Sequence, residues 1–172
     1  MPEPPYEEAP MPWFTLERFD TSFFDTAPHR HRHTMDLPVA PASVWQGLAG
    51  PAPLSWCRGL AGGRYTSPAP HGVGTTRQIT ALGALRLREE FVHWDEGTRH
   101  AFCATQASLP LYRRFGEDYR LEPLPAGGTR FTWTFAYEPS PLLRRPAALT
   151  DAPGRALLRT LIADTKRHFG AA

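Results

Sequence analysis

The stretch FTWTFAY at residues 131–137 alternates large aromatic residues with smaller ones. Successive side chains of a β-strand point to opposite faces, so this alternation predicts a strand with one strongly apolar face. That face carries Phe131, Trp133, Phe135 and Tyr137. A sheet that contains such a strand needs a second apolar element to cover it.

The covering element is found at the end of the chain, over residues 156–169. An apolar stripe recurs there at helical spacing, with charged residues largely opposite, which predicts an amphipathic helix. The stripe consists of Leu157, Leu158, Leu161, Ile162, Thr165 and Phe169. One helix can cover a whole sheet only if the sheet bends around it, and such bending leaves a space between them.

Earlier segments supply the rest of the sheet. Alternating patterns separated by glycine, proline and acidic turn residues predict strands over 30–39, 59–66, 74–81, 84–94, 98–107, 112–123 and 129–137. Pro41 near a first turn and the spacing of Val44, Trp45 and Leu48 predict a short helix after the first strand. The predicted fold class is therefore α+β: a curved seven-stranded antiparallel sheet wrapped around a long C-terminal helix, with two short helices after the first strand.

Residues 1–28 form a predicted proline-rich arm ahead of a domain at 29–172. The arm also carries five aromatic residues, too many for a solvated tail, so part of it should pack on the domain or on a partner. They are Trp13, Phe14, Phe19, Phe23 and Phe24.

Composition excludes several classes of protein. A chain of 172 residues fits one domain, and a net charge of +2 with interspersed charges argues against a nucleic-acid partner. The N-terminus lacks the basic and apolar runs of a signal peptide, no segment approaches a membrane span, and the two cysteines, Cys57 and Cys103, are far apart. We therefore expect a cytoplasmic protein without integral membrane association, either a monomer or a homodimer.

Four segments resemble the START-like superfamily, also called SRPBCC, in its polyketide cyclase/dehydrase-like branch. They are LPVAPASVWQGL at 37–48, GVGTTRQI at 72–79, LRLREEFVHWDEGTRHAF at 85–102, and YRLEP to GGTRFTWTF at 119–135. The resemblance spans about residues 31–169 and implies a helix-grip fold. Members of the superfamily bind or act on lipids, polyketides, plant hormones and aromatic substrates, with no shared catalytic set.

Strand parity predicts which side chains face the cavity. In the strand before FTWTFAY, the apolar parity carries Glu117 and Tyr119 inward, and in LRLREEFVHW it carries Glu89 and His93 inward. Arg77 shares a face with Ile79, so it could be the cationic partner of an inward carboxylate. The candidate ligand-binding residues are Arg77, Glu89, Phe91, Glu117, Tyr119, Phe131, Trp133, Phe135, Leu158 and Ile162.

Three interpretations of the inward polar groups stay open. They could form a structural ion pair, they could orient a ligand through hydrogen bonds, or a carboxylate with a raised pKa could act as general acid or base. A metal site at His29, His31 and His33 is disfavoured, because alternate residues of one strand lie too far apart to gather on one ion. We therefore predict no metal.

The main functional prediction is binding of a hydrophobic small molecule, such as a polyketide, an aromatic metabolite or a lipid, in the internal cavity without a cofactor. The first alternative is a polyketide aromatase/cyclase or dehydratase that uses Glu89 or Glu117 as base, with Arg77 or Tyr119 stabilising an enolate. The second alternative is a protein-interaction module that acts through the aromatic arm. Arg144 and Arg145, before the last helix, are candidates for a gate.

Overall fold

Eight strands form one antiparallel sheet in the computed structural model, which describes residues 12–142 and 147–171, the side chains of 147–153 excepted. Seven of them follow the order β2-β8-β7-β6-β5-β4-β3, and β1 pairs with β6. The strands are β1 (Phe14–Thr15), β2 (His29–Leu37), β3 (Leu60–Tyr65), β4 (Thr76–Ala81), β5 (Leu85–Asp95), β6 (Arg99–Ala107), β7 (Tyr112–Pro123) and β8 (Thr129–Pro139).

Three helices accompany the sheet in this part of the chain: α1 (Phe23–Thr26), α2 (Pro41–Ala49) and α3 (Ala147–Phe169). The curved sheet and the C-terminal helix α3 together are the helix-grip arrangement, so the predicted α+β fold class is confirmed. Two details differ from the prediction. The sheet has an eighth, two-residue strand, and α2 alone, rather than two short helices, lies between β2 and β3, followed by hydrogen-bonded turns at residues 51–59. Leu54 in this segment has a φ of +58°, which lies outside the right-handed helical region and interrupts helix formation there.

Helix α3 begins at Ala147, nine residues before the predicted start at 156. The apolar periodicity fades in the segment that contains Pro153 and Gly154, two poor helix formers, so the pattern predicted only the later part. Leu158 and Leu161 are buried against the sheet. The helix therefore covers the apolar face of the sheet that was predicted from the alternation in FTWTFAY.

The C-terminal half of α3 is fastened to the turns that follow α2. Asp164 accepts hydrogen bonds from the backbone N–H and the Nε of Arg58, both at 2.9 Å. The Nε1 of Trp56 donates to Thr165 Oγ1 at 3.0 Å. A Cβ added to Gly47 would lie 2.5 Å from the Trp56 ring, so glycine is required for this close approach.

The described part of the arm, residues 12–28, packs on its own domain. Phe23 and Phe24 are buried with Ala101 and Ala136, on the face of the sheet opposite the main core. A Cβ on Gly116 would lie 2.6 Å from the Phe19 ring, so this glycine makes room for the arm. The packing explains why the arm is rich in aromatic residues. Residues 1–11 of the predicted arm lie outside the described residues.

Within the described ranges, no helix has both the length and the apolar character needed to cross a bilayer.

Candidate functional site

A cavity lies between the sheet and α3 and extends from the middle of the sheet to one of its ends. Its volume is about 60 Å³, counted as the space open to the centre of a water molecule. One water needs roughly 10–15 Å³ on this scale, so the cavity as it stands is small. The wall consists of His31, Leu54, Leu60, Arg77, Ile79, Ala81, Leu85, Leu87, Glu89, Phe102, Tyr112, Phe115, Glu117, Tyr119, Phe135, Tyr137, Gly154, Leu157, Leu158 and Leu161.

Register between β4 and β5 brings Arg77 directly opposite Glu89. The Arg77 Nε donates to Glu89 Oε2 at 2.6 Å, and the two side chains are only 1% and 2% exposed. Within the described part of the chain, neither Nη1 nor Nη2 of Arg77 has a hydrogen-bond partner. The Phe91 and Phe102 rings each lie 5.1 Å from the guanidinium carbon and flank it. Arg77 thus lines the cavity with the donors of both Nη atoms buried and uncommitted.

Burial raises the pKa of Glu89, while the charge and hydrogen bond of Arg77 act in the opposite sense. A guanidinium stays protonated at any physiological pH, so its charge is a fixed feature of this site. Arg77 and Glu89 therefore form an ion pair in which the Arg77 cation stabilises the ionised form of Glu89.

Glu117 is the second buried carboxyl group, and its partners are neutral. Its Oε2 accepts a hydrogen bond from the Nε1 of Trp133 at 2.8 Å and a second one from the Tyr119 hydroxyl. Strand pairing explains the arrangement, because Glu117 lies opposite Phe135 and Tyr119 lies opposite Trp133 in the β7–β8 register. Both hydrogen-bond donors to this carboxyl group are therefore neutral groups.

Burial raises the pKa of Glu117 to about 7, and the hydrogen bond from Tyr119 limits the rise. The charge of Glu89 raises the same pKa further, and the hydrogen bond from Trp133 lowers it. Burial also raises the pKa of Tyr119 well above its ordinary value, helped by the charge of Glu117. Tyr119 therefore remains a hydroxyl donor, and Glu117 exchanges its proton near neutral pH.

The structure places six of the ten sequence-predicted residues on the cavity wall: Arg77, Glu89, Glu117, Tyr119, Phe135 and Leu158. The other four lie around it. Phe91 packs on Arg77, and Phe131 and Trp133 are fully buried beside Tyr119. Ile162 is half-buried, because it follows Leu161 by one residue and therefore projects from α3 in a different direction.

Among the wall residues that were not candidates, three carry polar groups: His31, Tyr112 and Tyr137. The Tyr112 and Tyr137 rings lie 5.6 Å apart, and His31 Nε2 is 3.5 Å from the Tyr137 hydroxyl. Tyr137 shares the parity of FTWTFAY, so the sequence carried a signal for it. His31 shares the parity of the buried Met35 and Leu37 in β2, so alternation carried a signal for it as well.

No group of three or more histidine, cysteine, aspartate or glutamate residues is arranged to hold a metal ion in the described ranges. Arg144 and Arg145, the predicted gate, lie outside those ranges.

Residues 28–170 match the family described as polyketide cyclase/dehydrase and lipid transport. The chain belongs to this family. Uncharacterized proteins of Mycobacterium tuberculosis and Mycobacterium bovis are each 37% identical over 166 residues, which is 92% of this chain and 98% of theirs. The family assignment confirms the resemblance drawn from the four sequence segments.

Solved structures of low sequence identity share the fold of this family member. A START superfamily protein from Mycobacterium smegmatis has a TM-score of 0.69 and 10% identity, covering 83% of this chain and 97% of its own. The major latex-like protein 151 from Panax ginseng has a TM-score of 0.62 and 14% identity, covering 82% and 97%. Family and fold together support binding of a hydrophobic ligand in general terms.

Proposed function

We propose that the protein binds a small, neutral aromatic metabolite with carbonyl and hydroxyl groups in the cavity between the sheet and α3. The observation that carries the proposal is the convergence of Arg77, Glu89, Glu117 and Tyr119 on a wall that is otherwise mostly apolar. Such a combination holds a ligand by burial and fixes its orientation by a few hydrogen bonds.

The uncommitted donors of Arg77 set the first requirement on the ligand. Leaving a buried donor without a partner costs free energy, so a ligand that brings an acceptor to Nη1 and Nη2 relieves that cost. A carbonyl oxygen is such an acceptor. A ligand hydroxyl could in turn donate to Glu117, whose carboxyl group already accepts two hydrogen bonds.

Charge decides between a carbonyl compound and a carboxylate. Arg77 is already neutralised by Glu89, and the charge of Glu89 raises the pKa of Glu117. A ligand carboxylate would add another negative charge to this buried group, which a poorly solvated site disfavours. A neutral carbonyl compound makes the same hydrogen bonds without that penalty.

Volume favours a compact ligand over a long-chain lipid. The cavity of about 60 Å³ is well below the roughly 300–1,000 Å³ of pockets that hold drug-sized molecules. Expansion is easiest where α3 meets the wall at Gly154, because the neighbouring Pro153 cannot donate a helical hydrogen bond. The other end of α3 is fastened through Trp56 and Asp164.

The test uses ortho-hydroxyacetophenone and salicylate, a neutral ketone and a carboxylate of similar size and shape. Binding is followed by heteronuclear NMR at the indole N–H of Trp133, which donates to Glu117 beside the cavity. We expect the ketone to shift this resonance at a concentration at least tenfold lower than salicylate does. The indole N–H of Trp94, which donates to Glu96 at the surface, should stay unchanged.

Two results would reject the proposal. One is a Trp133 resonance that neither compound moves, together with native mass spectra that show the protein alone. The other is tighter binding of salicylate, which would mean that Arg77 is not neutralised by Glu89.

A second candidate function, proton transfer to or from an enolisable ketone, is favoured by the Glu117 pKa of about 7. A general base works best when its pKa lies near the working pH. Glu117 would take a proton from the carbon next to the carbonyl group, and Arg77 would stabilise the charge that develops on the oxygen.

Hydrogen–deuterium exchange of β-tetralone in deuterium oxide tests this second function. We expect the wild type to accelerate exchange at the carbon next to the carbonyl, and Glu117→Gln to abolish the acceleration. Glu122→Gln, on the exposed end of the same strand, is the control. Exchange no faster than in buffer alone would reject catalysis of this kind.

A further inference from the structure

Three exposed leucines lie at the end of the sheet toward which the cavity extends. Leu82, Leu109 and Leu142 are 64%, 39% and 74% exposed, in the β4–β5 turn, the β6–β7 turn and the segment after β8. Antiparallel pairing brings these three segments to one end. Ser108 N–H donates to Arg86 O and Ser140 N–H to Leu111 O, both at 2.9 Å, which ties the segments together. We call these residues the leucine end.

Leu82 occupies a backbone conformation that disfavours leucine. Its φ is +51° and that of Gly83 is +70°, and Ala84 N–H donates to Ala81 O at 3.2 Å, which is a tight hairpin turn. Such turns favour asparagine, aspartate or glycine where Leu82 stands. Leu54 also has a positive φ, but it is buried on the cavity wall. Packing explains Leu54 and does not explain Leu82.

Arginines surround the leucine end. Segments 82–86, 108–114, 138–142 and 154–159 contain five arginines, and Glu138 is their one acidic residue. Glu17 of the arm adds a second carboxylate through its bond to Arg113. The arginines are Arg86, Arg113, Arg114, Arg155 and Arg159.

We propose that the leucine end docks on the surface of a lipid bilayer that contains anionic lipids. Protruding single leucines fit a deformable apolar phase better than a rigid protein surface, and the positive charge matches anionic headgroups. Ala81, Leu85 and Tyr112, at the bases of the same turns, line the cavity, so docking would bring the cavity to the bilayer. The inference goes beyond ligand binding and does not depend on it.

The test is co-sedimentation of the full chain with phosphatidylcholine vesicles, with and without phosphatidylglycerol. We expect binding to the anionic vesicles that weakens with salt. Leu82→Asn and Leu142→Ser should each reduce the partition coefficient about tenfold, the effect of withholding one leucine from the apolar phase. Val73→Ser is the matched control, because Val73 is 70% exposed at the opposite end of the sheet.

Leu82→Asn tests vesicle binding without destabilising the fold. Asparagine tolerates a positive φ, so the melting temperature of this variant should equal or exceed that of the wild type. This variant should also still bind ortho-hydroxyacetophenone, so a failed ligand and a failed docking surface give different results. The proposal is overturned if the wild type binds neither kind of vesicle, or if Val73→Ser loses as much binding as Leu82→Asn. It is also overturned if the leucine variants only dissociate a dimer, which would assign this end to a second copy of the chain.

Discussion

Glu89 and Glu117 are both buried on the wall of one cavity, yet they differ in what holds them. Glu89 contacts the fixed positive charge of Arg77 at 2.6 Å, whereas Glu117 accepts hydrogen bonds from the neutral groups of Tyr119 and Trp133. Neutral donors stabilise a carboxylate less than a cation does. Burial is the largest influence on the pKa of both groups, and it is opposed chiefly by the charge of Arg77 at Glu89 and by the Tyr119 hydrogen bond at Glu117. Glu89 is therefore part of a fixed pair, while Glu117 is free to exchange a proton at neutral pH.

The largest expected effect is on stability, when the fixed pair is broken. Glu89→Gln leaves a buried guanidinium that cannot lose its proton, and breaking a buried pair costs about 3–5 kcal/mol of unfolding free energy. Urea unfolding followed by tryptophan fluorescence measures this loss.

An exposed pair provides the control for this loss. Arg130 bonds Asp36 twice at 2.9 Å at the surface, and Asp36→Asn should cost about 1 kcal/mol or less. Replacing both buried partners, as Arg77→Met with Glu89→Leu, should recover most of the stability lost in Glu89→Gln. Equal losses of unfolding free energy in Asp36→Asn and Glu89→Gln would show that the buried ion pair contributes no more to stability than the exposed one.

An effect of intermediate size is expected at Glu117, and it depends on pH. The folded pKa of about 7 lies above the ordinary value of 4.5, so Glu117 favours the folded state while it is protonated. That contribution is complete below about pH 4.5 and is lost as the pH rises through 7, a change of roughly 3 kcal/mol. Glu117→Gln removes the titrating group, so the stability difference between it and the wild type should change by this amount.

Unfolding free energies at about pH 5 and pH 8 measure this change. Glu122→Gln, on the same strand but exposed, should follow the wild type at both values. A difference between wild type and Glu117→Gln that stays constant with pH would mean that Glu117 keeps its charge in the folded protein, as a carboxylate paired with a cation does.

Both carboxyl groups could be predicted to face inward, because strand parity depends only on the sequence. The register that places Arg77 opposite Glu89 could also be predicted, because β4 and β5 are joined by a tight turn. The parity of β5 fails near its end, where a bulge between Phe91 and His93 reverses it. His93 was predicted to face inward, but it bonds Asp95 at 2.8 Å on the exposed side, and Trp94 packs on Phe91 instead.

The hydrogen-bond donors of Glu117 could not be predicted from parity. Trp133 was expected on the cavity wall, but its ring is fully buried behind the wall and only its N–H reaches Glu117. The small cavity volume could not be predicted either, because it depends on how closely α3 approaches the sheet. That distance depends on contacts of α3 such as the hydrogen bond from Trp56 to Thr165, which no periodicity reveals.

The smallest expected effect distinguishes the two donors of Glu117. Trp133→Phe keeps an aromatic ring but removes the N–H that donates to the carboxylate at 2.8 Å, so the pKa of Glu117 should rise. One lost hydrogen bond to a charged group amounts to about 1.5 kcal/mol, which moves the pH midpoint of the stability change up by about one pH unit. Tyr119→Phe should move it further, because the Tyr119 hydrogen bond lowers the pKa more.

Trp94→Phe is the matched control for this midpoint. The Trp94 Nε1 also donates to a carboxylate at 2.8 Å, but its partner Glu96 is at the surface, where water replaces the lost bond. Its midpoint should therefore equal that of the wild type. If Trp133→Phe also left the midpoint unchanged, the Glu117 proton would be controlled by burial and Tyr119 alone, and the contrast with Glu89 would rest on a single neutral donor.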